Sequence, residues 1–540
     1  MKYEELMNRF SWEEVISTFD WDMNEYFNAA HECCDRWADA PDRIAIYWEN
    51  EAGHKETWTF RKLKEQSNRM ANALRSKGVK KGDRVAGLLG KDMELYVTVL
   101  AVWKIGAVYV PLFTAFGPEA IKYRLENAEC KILLTNQEQA NKLKGIDIST
   151  ELILIDGLTR NGQTFWEYIN SFSAEHETEK TDVMDPCAIQ YTSGSTGLPK
   201  GAVWAHKIFV SSYPFLKYGI GVEHDDRLYG GADPGWAFGL INCTFAPLSF
   251  GISILSYKGP FDVATVYRLL EEYKISNFAY APTAFRMMMA AGSELVQKYN
   301  IQVKKFSSAG EPLNAEVVRF FRENFGREIY DQYGATETGM IVNNLNVTDM
   351  TVKPGSMGLP APGFHIAIVD NEGNPVKRGD VGQIVVDTTH FPHFFLGYWN
   401  DPEKTESKML GKWFKTGDLA NQDEEGYFWF QGRDDDIISS AGYRIGPFEV
   451  ESSLIEHPAV GEAAVVGKPD SAKGEIVKAF VVLNPSFQGS DELAKELSDF
   501  VKGKLSKHQY PREVEFVDSL PKTPSGKIQR YLLRKESAKH

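Results

Sequence analysis

Between residues 58 and 85 the apolar positions Leu63, Met70, Ala73 and Leu74 recur at the spacing of one helix face, and Gly78 stands just beyond them as a stop. The basic glycine turn that follows leads into a strand. Apolar runs (VAGLLG, AVYVPL, KILLTN, ELILID) then alternate with helical stretches, the βαβ rhythm of a mostly parallel sheet covered by helices. The rhythm returns in GISILSY, VYRLLEEYKIS and NFAYAPT. After Pro354 the texture changes, and FHIAIVDNEGNPVKRGDVGQIVV reads as hairpins with Gly/Asn turns. After Arg433 it changes again, to an α+β tail with strands EAAVVG and KAFVVL. No internal repeat or low-complexity linker interrupts the chain.

The charged run at 433–436 is the best boundary, dividing the chain into 1–433 and 434–540. One stretch, LYVTVLAVWKIGAVYVPLF at 95–113, has the length of a membrane span. Lys104 near its centre and the breakers Gly106 and Pro111 predict a helix and a buried strand instead.

Hydrophobic residues are 43% and charged residues 25% of the 540, which excludes a disordered or fibrous chain. Asp+Glu 74 against Lys+Arg 60 leaves a formal charge of -14, which argues against a nucleic-acid or anionic-membrane partner. It leaves room for a local phosphate site. The five cysteines (33, 34, 130, 187 and 243) show no CxxC spacing, and the acidic N-terminus has no apolar signal core. A soluble cytoplasmic protein with reduced thiols is expected.

The strongest local signal is YTSGSTGLPKG at 191–201, behind the strand-like CAIQ. Its three glycines let the main chain approach an anion, and Thr192, Ser193, Ser195 and Thr196 add hydroxyl donors. A plain Ser/Gly surface loop has the same composition. A Walker A loop does not fit, because Lys200 follows Gly197 by three positions and precedes Gly201.

With its continuation AVWAH, this string resembles the signature loop of the adenylate-forming superfamily of acyl-CoA synthetases, peptide-synthetase adenylation domains and luciferases. Further motifs stand in the family's order: SSAGEPL (307–313), DQYGATETG (331–339), KPGSMGLPAPG (353–363), WFKTGDLA (413–420), GRDDDIISSAGYRIGPFEVE (432–451) and PKTPSGKIQR (521–530). The resemblance implies an α/β fold. Its large N-terminal domain would hold parallel helix-covered sheets and a small β-barrel-like subdomain, and its C-terminal α+β domain would be smaller and mobile.

It also implies a site. Thr192, Ser193, Gly194, Ser195, Thr196, Gly197 and Lys200 would hold ATP phosphates. Gly310, Glu311 and Pro312, with Asp331, Gln332, Tyr333, Gly334 and Ala335, would enclose adenine. Thr336 and Glu337 would meet the α-phosphate, and Glu337 would offer a carboxylate to Mg²⁺. Asp418 and Arg433 would take the ribose. Lys527 would stabilise charge on the α-phosphate during adenylation, with Thr192 and Glu337 completing the catalytic set. Asp435 would be the hinge, and Ala441, Gly442 and Arg444 would receive CoA. His457 reads as a structural residue at a helix end.

The implied reaction is acid + ATP → acyl-AMP + PPi, then acyl-AMP + CoA → acyl-CoA + AMP. Partners are small molecules, with the chain a monomer or homodimer. Trp236, Phe238, Gly334 and Phe285, with the turn at 282–285, would line the acyl pocket. Acetyl-specific relatives carry a Trp at the position of Gly334, so glycine predicts an open tunnel and medium-chain acids. Pro234, in ADPGW where medium-chain relatives more usually have DTGW, bears on chain length. Short-chain, branched or aromatic acids are the alternative. Rivals are an amino-acid adenylation enzyme, which would want an Asp such as Asp233 for the α-ammonium, a luciferase, and a non-catalytic nucleotide-binding relative.

Overall fold

In the computed structural model, the described residues are 1–158, 162–192, 199–311, 313–390, 392–434, 436–440, 443–470, 473–505, 509–522 and 528–538, without the side chains of Tyr443 and Arg444. The predicted helix forms over Phe60–Ser76. Thr59 caps it by accepting the Lys62 N–H, and Leu63, Met70, Ala73 and Leu74 are buried. Gly78 closes it with φ +80, a left-handed conformation that costs glycine little.

Residues 95–113 resolve into the helix Met93–Lys104 and the strand Val108–Pro111. No helix among the described residues is long and apolar enough to cross a membrane. Lys104 is fully buried, and its Nζ donates at 2.6 Å to both Asp35 Oδ1 and Asn68 Oδ1. Asp35 Oδ2 accepts the Thr178 hydroxyl at 3.0 Å. Removing one partner of such a pair strands the other charge. Lys104→Met is therefore expected to destabilise the chain by about 3 kcal/mol in denaturant unfolding, and adding Asp35→Leu to recover most of the loss.

Two large sheets face each other across the N-terminal part. In the first, Pro186–Thr192, Val108–Pro111, Arg84–Leu88, Ile132–Thr135 and Glu151–Leu154 run parallel. Lys200–Ala205 and Phe395–Tyr398 add antiparallel strands at one edge. In the second, the parallel run goes from Ile329–Ala335 through Lys305–Ala309, Asn277–Tyr280, Arg227–Gly230 and Ser253–Lys258 to Ile44–Asn50. The expected hairpins form a small antiparallel sheet around Ile366–Val369, Gly382–Asp387, Trp413–Gln422 and Phe428–Arg433. The tail builds its own sheet on Val460–Asp470 and Gly474–Leu483, with a separate apolar core that includes Val450, Leu454, Val465 and Val481. The C-terminal ends of the two parallel runs meet where Lys91, just past Arg84–Leu88, donates to the Gly231 carbonyl, just past Arg227–Gly230, and such strand ends are the usual place for a ligand.

Candidate active site

The nucleotide corner is assembled from three separate motifs. Tyr333 lies on Ile329–Ala335, and its hydroxyl donates to Asp418 Oδ2 at 2.7 Å. Asp418 stands opposite Arg433 across an antiparallel pair, so the two ribose candidates are brought side by side by strand register. Glu311 accepts from the Thr283 hydroxyl at 3.0 Å and from Arg286 Nη2 at 2.8 Å. Gly310 has φ +97, which explains glycine at that turn.

The phosphate corner joins the two sheets. Glu337 Oε1 accepts the Tyr398 hydroxyl at 2.6 Å, and the Trp204 indole N–H donates to the Thr336 carbonyl at 2.8 Å. Trp204 belongs to Lys200–Ala205, whose first residue pairs with Thr192. The ends of the signature loop and the Thr336–Glu337 turn are thereby tied together. Lys200 is pushed down to about 8 by burial first, and then by Lys404 and Lys408, with Asp401 opposing.

Tyr398, Lys404 and Lys408 escaped the sequence reading. The available signal was the four-residue spacing of the two lysines, which places both on one helix face.

Several expected roles are corrected. Gln332 points away from Tyr333, because strand side chains alternate, and packs beside Gly219. Asp331, expected beside the adenine, shares the Tyr333 face and is buried, and burial raises its carboxyl to about 8.

Gly334, expected to leave a tunnel open, faces backbone rather than open space. A Cβ there would collide with the Gly339 carbonyl oxygen and lie 2.8 Å from Met340 Cα, so the adjoining strand demands glycine. Phe285 is fully buried in a different core, edge-on to Phe278 and Phe321, because its helix Pro282–Ala290 turns that face toward Ala315–Phe325. Thr283, on the same helix, donates its hydroxyl to Glu311.

Residues 193–197, Pro312, Asp435, Ala441, Gly442 and Lys527 lie outside the described residues, and Arg444 is described only as backbone in Tyr443–Ile445. His457 follows the helix Pro447–Ile455, is buried, and lies 3.3 Å from Glu496 Oε1 and edge-on to Phe500, in keeping with a structural role.

On the acyl side Trp236 packs against Phe113 at 5.2 Å and Phe116 at 5.9 Å, while Phe238 packs against Phe215 at 6.4 Å. The buried Trp236 indole N–H has no hydrogen-bond partner among the described residues. Asp233 Oδ1 accepts the Gly235 N–H at 2.7 Å. Burial raises its carboxyl to about 6 against the pull of that hydrogen bond and of Lys91. Lys91 donates to the Gly231 carbonyl at 2.9 Å, which fixes the start of the loop carrying Trp236.

The chain matches the AMP-binding enzyme family over residues 34–399 and the AMP-binding enzyme C-terminal domain over 449–527. It is 41% identical to the acetyl-coenzyme A synthetase of Bacillus subtilis, over 98% of this chain and 94% of that protein. It is 35% identical to the human mitochondrial acyl-coenzyme A synthetase ACSM3, over 98% and 93%.

A solved acyl-CoA synthetase of Brucella canis superposes with TM-score 0.79 at 39% identity over 99% of both chains. The anthranilate CoA ligase AuaEII, solved with anthranoyl-AMP, does so with TM-score 0.87 at 29% identity over 96% of this chain and 99% of that one. Ordered motifs, two facing parallel sheets and full-length likeness agree: the chain belongs to the AMP-binding enzyme family and is one of its acyl-CoA synthetases.

Proposed function

We propose that this enzyme adenylates a medium-chain carboxylic acid with ATP, releases pyrophosphate, and passes the acyl group to CoA. The observation that carries the reading is the convergence of Tyr333, Asp418 and Arg433 in one corner with Glu337, Thr336 and Lys200 in the next. That layout supports a base and ribose at one end and phosphates at the other. No general base is needed, since an acid of pKa near 4 is already ionised at pH 7. A single carboxylate plus substrate phosphates is a donor set Mg²⁺ accepts, and Glu337, oriented by Tyr398, fits it. When bound, the ion would neutralise phosphate charge. Residues 1–433 would form the larger domain and 434–540 the smaller, which would turn about Asp435 between half-reactions. Five buried free thiols support a reducing compartment such as the cytoplasm.

The test is pyrophosphate release with a panel of acids, with and without CoA. Each methylene buried against the apolar side chains around Trp236 and Phe238 contributes roughly 0.8 kcal/mol, so acids of about six carbons are expected to exceed acetate by about a hundredfold in kcat/KM. A profile peaking at acetate overturns the medium-chain assignment. Gly334→Trp is expected to depress every acid, acetate included, because an indole cannot enter without moving the adjoining strand. A variant that loses only the longer acids would restore the tunnel reading. The Phe113–Phe116–Trp236 cluster favours a second reading, an aromatic acid. An amino acid is disfavoured, because Asp233 is already engaged by the Gly235 N–H and opposed to Lys91.

A further inference from the structure

The helix Pro402–Ser407 is oriented against ordinary amphipathic logic. Its acidic Glu403 and Glu406 are exposed, while Lys404 and Lys408, one turn apart, are turned inward and half-buried. Asp401 sets the helix by accepting the Lys404 N–H at 3.0 Å, and Thr405 Oγ1 accepts the Tyr398 N–H at 2.9 Å. Tyr398 is the residue that holds Glu337, and Lys200 Nζ lies 5.8 Å from its ring centroid. Lys408 Nζ reaches Gly417, 3.1 Å from where a Cβ would stand, and Arg433 Nη2 is 3.9 Å from the same point. Lys404 thus stands beside Lys200, and Lys408 bridges from them to the Asp418–Arg433 pair of the nucleotide corner. Like charges held together and partly desolvated repel, unless an anion is their normal company.

We infer that Lys404 and Lys408 join Lys200 in a cradle for polyphosphate, taking the terminal phosphates of ATP and then pyrophosphate. The inference rests on the reading that ATP phosphates lie along residues 192–201. A lysine suits the task, because its flexible point charge can follow the phosphates as the bond breaks and then let the product leave. Carboxylates face this cluster too: Glu337, Asp401 and Asp418 all act on Lys200 or Lys408. The site is therefore built for an anion that arrives with a divalent cation.

The test uses the full-length enzyme with Lys404→Gln and Lys408→Gln, and Lys404→Arg and Lys408→Arg as conservative variants. Inhibition by pyrophosphate and by AMP is measured against the forward reaction. Loss of one charge-assisted contact is expected to weaken pyrophosphate inhibition and raise the KM for ATP about tenfold, leaving AMP inhibition and the KM for the acid within about twofold. The arginine variants are expected to keep most of the pyrophosphate affinity. Unchanged pyrophosphate inhibition in both glutamine variants overturns the inference, as does an equal loss of AMP and pyrophosphate affinity. If the unmodified enzyme releases no pyrophosphate with any acid, the adenylation reading itself falls, which the AMP and pyrophosphate binding arms would separate from failure of the cradle.

Discussion

Lys527→Ala is expected to lower acid-dependent ATP–pyrophosphate exchange about a thousandfold, while thioester formation from supplied acyl-AMP and CoA stays within about threefold. The asymmetry follows from charge. In the first half-reaction negative charge gathers on the α-phosphate beside an incoming carboxylate, and a cation between them stabilises the transition state more than the separated reactants. In the second half-reaction that carboxylate has become an acyl group, so the cation has less to do. Parallel loss of both half-reactions would make Lys527 a structural residue. The two assays share enzyme, temperature and acyl group, so a folding defect would lower both together and be recognised as such.

Glu451→Ala is expected to destabilise residues 434–540 by about 3 kcal/mol and to lower adenylation with them. Glu451 is buried on Pro447–Ile455 and holds the Arg530 guanidinium in a fork, with Nη2 at 2.7 Å from Oε2 and Nε at 3.1 Å from Oε1. Its Oε1 also accepts the Val465 N–H at 2.8 Å. Asp436, just past the proposed hinge, pairs with Arg534 and lies 3.7 Å from Arg530 Nη1. One cluster therefore fastens the start of the last helix, Arg530–Ser537, to the segment after the hinge, and Lys527 precedes that helix by three positions. Removing the carboxylate leaves the guanidinium and the Val465 N–H without it.

Thermal unfolding should show the tail melting ahead of the rest. The double variant Glu451→Met, Arg530→Met should regain stability by replacing the pair with apolar volume, yet remain slow in adenylation. Equal recovery of stability and exchange rate would mean that the cluster has no part in placing Lys527.

Periodicity in the chain was enough for the elements. The face of Leu63, Met70, Ala73 and Leu74 specifies a helix whichever neighbour covers it, and alternating apolar runs specify a helix-covered parallel sheet, because these patterns are properties of single elements. Motif order was likewise enough to bring Tyr333, Asp418, Arg433 and Glu337 into one account. What the chain could not reveal was which elements approach each other and how closely.

Gly334 looked like an absent side chain over a pocket, whereas the neighbouring strand leaves its Cβ no room. Phe285 looked like a pocket wall beside a motif, yet helix rotation commits it to another core. Lys404 and Lys408 stand in no motif of the chain, and only packing turns them inward beside Lys200. Local pattern records the preference of a residue for water or for a partner; only the tertiary structure decides which partner stands within reach, because that distance is set by backbone far away in sequence.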